Sequence, residues 1–555
     1  MKFELSDRFE AAKETWAARR ARYAEKLRPA KTLSGLPVKT VYTPEDLADS
    51  DLEEMPGAYP FTRGLHPDGY ALTPWMQQMV FGYGTIEETR QKMEKMVAEG
   101  MEGYFGHKVF NTVYDIPCMY GIDADHPEAK GNLGQCGVHM STGDDYDELI
   151  RGWDLETTNF SMITGDNCLP ALALLAAAVE RRGEPTQKMH GNSMNWYPRI
   201  AVQDIPSWEP KWGYALMIDL IKWAKDNAPA WNPANIFMYG LSEAGATPVQ
   251  ELAYGLSWGK SIIDAGLEAG LAPDDFIGRL SFQIGCTVNL FEEVAKFRAH
   301  RRMWAKICKE AGVTKPSNMH ARVHVHTSGY VLTQQQLMNN NARITLQALA
   351  AVLGGVQSIH TCSYDEAVGV PTEESHRTAL RTQQILMLES GVRDVADPLG
   401  GSYYVEKLTD EMEEAAWEIY EELEASGGYL KGIETGEIKR SIDNASYEMK
   451  KRINSGDLPV VGVNRYVSEQ TENYEPFRID ESIETKARAR LEAYRAKRDQ
   501  AAVDEALEGV REACQALKDG TGPLMPALVE AARRGATNGE MMVPMREAFG
   551  WYVSE

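Results

Sequence analysis

The sequence predicts an α/β protein: a (β/α)8, TIM-type barrel with an N-terminal arm and a C-terminal helical extension. Three observations lead there. From about residue 60 to 400, helical runs alternate with short strand-like runs about eight times, which predicts a parallel sheet. Several of those strand-like runs carry polar residues at every second position, so that one face of each aims polar groups inward. No GxGxxG or GxxxxGK[ST] follows a strand-like run, which disfavours an open doubly wound sheet.

Taken in order, residues 5–29 set Trp16, Tyr23 and Leu27 among many charges and read as an exposed helix. An acidic extended arm follows to about Tyr59, and such an arm more often wraps a body than forms a domain. Within the predicted barrel, residues 60–400, the helical runs are 85–99, 169–182, 211–227, 249–270, 290–310, 332–353 and 372–389. After Gly400-Gly401 the chain is mostly helical and charged over residues 401–555, and no internal repeat or low-complexity tract is visible.

The most telling strand is Arg322-Val323-His324-Val325-His326-Thr327-Ser328, where a period of two puts Arg322, His324, His326 and Ser328 on one face. The habit recurs at Arg279-Leu280-Ser281-Phe282-Gln283 and at Ser358-Ile359-His360-Thr361-Cys362. An unpartnered polar group inside a protein costs a few kcal/mol, roughly 2–7 on transfer scales, so a polar lumen implies a ligand within it.

Composition narrows the partners. The chain has 555 residues, 43% of them hydrophobic, and carries 58 lysines and arginines against 81 acids, a net charge of -23. That surface repels phosphate backbones and anionic lipid heads, which argues against nucleic acid or membrane partners. No run of eighteen apolar residues and no signal-peptide core appears, so the expectation is a cytoplasmic protein. Seven scattered cysteines form no CxxC pair, which suggests neither a disulfide framework nor a zinc site. Asp123 and Asp125 read as solvated loop carboxylates.

Several segments carry a resemblance: Tyr59-Pro60-Phe61-Thr62-Arg63-Gly64, Gly84-Thr85-Ile86-Glu87-Glu88, Ser242-Glu243-Ala244-Gly245-Ala246, Arg279-Leu280-Ser281-Phe282, His360 through Ala367, Asp397 through Tyr403, and Val461-Gly462-Val463-Asn464-Arg465. Together they resemble the large subunit of adenosylcobalamin-dependent acyl-CoA mutases over essentially the whole chain. The resemblance implies a barrel threaded by a pantetheine chain and a radical 1,2-shift of a carbonyl-bearing group, with the cofactor doing the hard step and the protein excluding water. In that family the histidine of an Asp-x-His-x-x-Gly motif ligates cobalt, yet none of the eleven histidines here has an aspartate two residues before it. The expectation is therefore a separate small cobalamin-binding subunit, without which the barrel is inactive. A heterotetramer, and a G-protein chaperone as a further partner, go with that expectation.

Individual positions refine what the resemblance implies. Val80 stands where methylmalonyl-CoA mutases place a tyrosine, leaving volume for a differently branched acyl group. Gln203 stands where their arginine clamps the substrate carboxylate, and glutamine cannot form a bidentate ion pair. It resembles the isobutyryl-CoA and 2-hydroxyisobutyryl-CoA mutases in this. The family Tyr-His pair is Tyr239-Gly240 here, so the histidine that bonds the thioester carbonyl is missing. His326, where glutamine is common, is the candidate replacement beside His324, and His66 is the reserve. Thr73 and Gln78 replace arginines that meet coenzyme A phosphates, leaving Arg279 and Arg63, with Ser281 and Ser328 in the lumen; a different pantetheine carrier stays open. Glu366 aligns with the carboxylate that binds adenosyl ribose hydroxyls, and Cys362 replaces a nearby asparagine.

The resulting expectation is the large subunit of a cobalamin-dependent carbon-skeleton mutase, an isomerase, acting on a branched acyl-CoA without the carboxylate clamp. One alternative is a mutase for a bulky alkyl- or arylmalonyl thioester. Another is a non-catalytic paralogue that only docks a cobalamin subunit.

Overall fold

The computed structural model describes residues 7–21, 30–47, 52–101, 103, 106–195, 197, 207–468, 474–475, 477–480 and 482–551. Eight parallel strand segments form its centre. β1 comprises Met76–Gln77 and Val80–Phe81, β2 is Lys108–Val113, β3 Thr158–Ile163 and β4 His190–Ser193. β5 comprises Trp231–Asn232 and Ala234–Phe237, β6 is Leu280–Cys286, β7 Arg322–Thr327 and β8 Ser358–His360.

These strands pair as two five-stranded parallel ladders, each taking one half of β1 and one half of β5, so the ring closes through two broken strands. At the first break, the Gln78 N–H donates to the Ile359 carbonyl of β8 at 3.0 Å, while the Met79 carbonyl accepts from Asn111 of β2. At the second, Pro233 has no N–H to give to a ladder. The Asn195 side chain repairs the gap, donating to the Pro233 carbonyl at 2.8 Å and accepting from the Asn235 N–H at 3.2 Å.

Helices follow the strands in turn: α1 Ile86–Ala98, α2 Gly143–Leu149, α3 Cys168–Arg181, α4 Pro210–Asn227, α5 Pro248–Glu268, α6 Leu290–Glu310, α7 Asn340–Leu353 and α8 Glu373–Leu388. Thr85 with Glu88, Thr142 with Asp145 and Thr247 with Gln250 close capping boxes that fix where α1, α2 and α5 begin. Periodicity misses α2, whose seven residues are too short to show a repeat. The expected helix over 332–353 starts only at Asn340, because Gln336 adopts a left-handed backbone (φ 52°) and the preceding residues form a loop.

α3 is apolar on every side, which requires cover on both faces. The barrel supplies one; the helix Met525–Arg534, in the C-terminal extension, packs along the other. Asp123 anchors the same extension. It is buried, accepts from Thr537 Oγ1 at 2.5 Å and the Gly539 N–H at 2.9 Å, and pairs with Arg495 at 2.8 Å, contrary to the expectation of a solvated loop carboxylate; Asp125 is exposed but also bonds Arg495.

At the other side, α6 ties distant segments together. Arg298 lies between Asp397 and Glu406, Arg63 pairs with Asp397 at 2.9 Å, and Arg301 donates to the carbonyls of Phe61 and Thr62. The conspicuous 59–64 and 397–403 segments are thus neighbours. The N-terminal arm wraps the body as a short hairpin, Ala30–Lys31 with Pro37–Val38, and its Leu33 and Ser34 N–H groups both donate to the buried Glu292 carboxylate. No helix among the described residues is long and apolar enough to cross a membrane.

Candidate active site

The lumen has two chemically different ends. Near the amino ends of the strands lies a cavity of about 390 Å³ whose lining includes His66, Gln78, His107, Asn159, Asn192, Ser281, Arg322, His324 and Ser358 and, among the described residues, no carboxylate. Arg322 donates to Asn232 Oδ1 at 3.3 Å. Burial and the nearby Arg279 hold its guanidinium down to about 10. Neither arginine makes an ion pair among the described residues, so two cations stand here without an anion. Further in, Ser281 Oγ accepts from Asn235 Nδ2 at 3.1 Å and Asn192 Nδ2 at 3.4 Å, and His324 Nδ1 meets Ser358 Oγ at 2.8 Å.

Many polar atoms remain unsatisfied inside. Asn192 Oδ1, Asn235 Oδ1, Gln283 Oε1, His324 Nε2 and Ser161 Oγ are buried without a partner. Leaving such groups bare costs about 1–3 kcal/mol each, and a threaded polar ligand would relieve that cost. Ser328 lies just past the end of β7, which stops at Thr327, so it opens the turn rather than extending the strand face.

At the carboxyl ends of the strands, where barrel sites form, His326, His360, Tyr239, Glu243, Cys362 and Glu366 converge. The register of β7 and β8 places His326 directly beside His360, with ring centroids 4.2 Å apart, and the Tyr239 ring lies 4.4 Å from His326. Burial drives His324 down to about 3, His326 to about 4 and His360 well below the ordinary range, so all three are neutral. Val80, half-buried on β1, donates its N–H to His360 Nδ1 at 3.2 Å. Cys362 is buried and its thiol donates to the Thr327 carbonyl at 3.0 Å. His326, His360 and Cys362 could offer metal-ligand atoms within 4.8 Å of one another, but these hydrogen bonds already engage His360 Nδ1 and the thiol.

Two carboxyls complete this end. Glu243 accepts from the Tyr330 N–H at 3.1 Å, and burial pushes it up to about 7. Glu366 faces the open mouth and has exposed area, yet the walls crowd it; that crowding and the neighbouring Asp365 push it up to about 7 as well.

Gly240 follows Tyr239 in the short helix Met238–Glu243. A Cβ there would meet the Phe237 ring at 2.4 Å, so the Phe237 side chain occupies the space a residue-240 side chain would need.

Residues 31–551 match the family model described as methylmalonyl-CoA mutase. The chain belongs to the methylmalonyl-CoA mutase family. It is 38% identical to the 2-hydroxyisobutanoyl-CoA mutase large subunit of Aquincola tertiaricarbonis, over 94% of this chain and 92% of that one. It is 37% identical to the methylmalonyl-CoA mutase of Rhizobium meliloti, over 94% of this chain and 73% of that one, and 36% identical to the methylmalonyl-CoA mutase large subunit of Streptomyces virginiae, over 95% and 72%. As a member of the methylmalonyl-CoA mutase family it is an adenosylcobalamin-dependent acyl-CoA mutase, an isomerase.

Of the positions named from sequence, Val80, Tyr239, His326, Cys362, Glu366 and Ser328 gather at the carboxyl end. His66, Ser281, His324 and Arg279 belong to the amino end and the middle of the lumen. Gln203 lies outside the described residues. Sequence reasoning did not single out Glu243 or His360. The signal for Glu243 was its place in the short segment between a barrel strand and the next helix; for His360 it was alternation with Ser358.

Proposed function

We propose that this chain is the barrel subunit of a mutase that rearranges a branched acyl thioester lacking a free carboxylate, of the isobutyryl or 2-hydroxyisobutyryl kind. The observation that carries this reading is the segregation of charge along the lumen. Arg322 and Arg279 stand at the amino end; the side chains converging at the carboxyl end are neutral histidines, Tyr239 and two acids. A carrier's phosphates suit the first end, whereas an anionic acyl group at the second would find no cation among the described residues and would face Glu243 and Glu366.

In this reading the carrier lies along the lumen against the unsatisfied amides of Asn192, Asn235 and Gln283. Arg322 and His326 are four residues apart on β7, about 13 Å along the strand, which separates the anchoring end from the reacting end. The carboxyls of Glu243 and Glu366, grouped at this end, suit a ligand rich in hydroxyl groups, such as an adenosyl moiety. When bound, the cofactor would supply a carbon-centred radical; the barrel's part is to exclude water and to orient the acyl group against Tyr239 and the neutral imidazoles. The name "large subunit" among the relatives supports a separate small cobalamin-binding partner, in a heteromeric assembly.

The test is anaerobic turnover of this chain with a small cobalamin subunit, adenosylcobalamin and a panel of acyl thioesters, read by mass spectrometry. Interconversion of uncharged branched and linear acyl-CoAs is expected. Turnover of substituted malonyl thioesters alone would overturn the reading, and silence with every acyl-CoA would favour a docking role or another carrier.

A further inference from the structure

The two histidines at the carboxyl end differ in which ring nitrogen carries the proton, and the backbone decides it. A neutral imidazole has one N–H. His360 Nδ1 receives the Val80 N–H at 3.2 Å, so it is the bare nitrogen and the proton sits on Nε2. His326 Nδ1 faces the Thr327 carbonyl at 3.3 Å; the Cys362 thiol lies 3.9 Å from the same nitrogen but donates to that carbonyl at 3.0 Å. A carbonyl only accepts, so here Nδ1 carries the proton and Nε2 is bare. The rings lie side by side at 4.2 Å with 48° between their planes. No hydrogen bond among the described residues joins the two rings or engages either Nε2, and neither Nε2 is among the fully buried atoms without a partner. One wall of the site therefore offers a donor and an acceptor next to each other.

We propose that His360 Nε2–H and His326 Nε2 form a matched pair that reads a hydroxyl group of the ligand, which accepts from the first and donates to the second. This deepens, and rests on, the reading of the lumen as an acyl thioester site. A methyl group satisfies neither nitrogen. A carboxylate only accepts, so its oxygen would confront the bare His326 nitrogen. The pair favours a hydroxyl over both, and it places the two histidines as specificity-determining residues. A hydroxyl can come from the acyl group or from the ribose of the adenosyl cofactor, and the chemistry at the pair is the same for either.

The test compares the unsubstituted chain with His326→Leu, which keeps bulk and removes the acceptor, and with His326→Gln, which keeps one. Each is studied in complex with the small subunit. Calorimetry measures binding of 2-hydroxyisobutyryl-CoA against isobutyryl-CoA, and separately of adenosylcobalamin against hydroxocobalamin, which has no ribose at its upper face. If the acyl group supplies the hydroxyl, the unsubstituted protein prefers the hydroxylated thioester by about ten- to a hundred-fold, and His326→Leu erases the preference while His326→Gln keeps part of it. If the ribose supplies it, His326→Leu weakens adenosylcobalamin by a similar factor and leaves hydroxocobalamin and the thioester ratio unchanged. A His326→Leu protein that folds and moves neither ratio overturns the pair. Nitrogen-15 chemical shifts of histidine-labelled, unsubstituted protein give a second readout that needs no variant: opposite tautomers at His326 and His360 support the pair, and identical tautomers overturn it. Binding and tautomer measurements do not depend on turnover, so a protein inactive with every thioester would sink the proposed function and leave the pair to be judged separately.

Discussion

Gly240→Ala should destabilise this protein, although the same exchange in a helix ordinarily helps. Gly240 is helical and has no positive φ, so alanine fits its backbone and the intrinsic gain is about 0.5–1 kcal/mol. The added methyl, however, would stand 2.4 Å and 2.6 Å from two carbons of the Phe237 ring, about 1 Å inside normal contact. Phe237 is 5% exposed and packed against Tyr239, so the ring cannot swing into solvent. Overpacking of this kind costs about 1–3 kcal/mol, leaving a net loss of up to about 2.5 kcal/mol. Urea denaturation of four proteins measures it: unsubstituted, Gly240→Ala, Phe237→Ala and the double variant. In the Phe237→Ala background the methyl has room, so the exchange should turn favourable, and the cycle should return a coupling of about 1–3 kcal/mol. A stabilising Gly240→Ala in the native background, or additive effects, would refute the view that Phe237 fills the place of a residue-240 side chain.

Other consequences can be measured directly. Glu243 and Glu366 titrate near 7, and the ionised forms accept hydroxyl hydrogen bonds better. Binding of adenosylcobalamin should therefore tighten as pH rises from 6 to 7, by at most about tenfold per unit for each group, and Glu366→Gln should flatten the profile; affinity that falls over this range contradicts it. The buried imidazoles of His300, His324, His326 and His376 are held at about 3 to 4, whereas in the unfolded chain they protonate near 6.5. Their contribution is present above pH 6.5 and is lost as pH falls toward 4. Glu243, Glu251 and Glu366 work in the opposite sense between 4.5 and 7, with Asp123, Asp219, Glu292 and Glu411 raised in the same sense, but the imidazoles, held at about 3 to 4, are displaced further. The urea midpoint should drop as pH is lowered from 6.5 to 4.5; a flat midpoint would show that these imidazoles take up protons in the native state. Arg322→Gln should raise KM for an acyl-CoA by about ten- to a hundred-fold with little change in kcat, since the lost contact is far from the reacting end; a loss confined to kcat would place Arg322 elsewhere.

Repetition was the part of this molecule that could be read in advance. Alternating polar residues in β6, β7 and β8 betrayed a lined lumen because period two is a local property of a strand. What escaped reading depended on distant backbone. The proton on His360 is set by Val80, 280 residues away in sequence. The breaks at Gln78 and Pro233 that let two ladders close into one ring are visible only once both neighbours of each strand are known. α2 is too short for periodicity, and the loop before α7 contains residues that resemble a helix until Gln336 turns left-handed. Asp123 looked like any loop carboxylate because its partners, Arg495, Thr537 and Gly539, lie beyond residue 490.

The cavity without carboxylates sits inside a chain of net charge -23, and the two act on an anionic ligand at different ranges. From afar, the acidic exterior slows its approach; inside the amino end of the lumen, Arg322, with Arg279 nearby, attracts it over a few ångströms of poorly screened space. Added salt shortens the reach of the first field, to about 8 Å at 0.15 M, while it weakens the second more gently. Association should therefore quicken with salt over a range in which dissociation quickens less or hardly at all. Such a lumen would capture its carrier better in the ionic medium of a cell than in dilute buffer, the reverse of an electrostatically steered encounter.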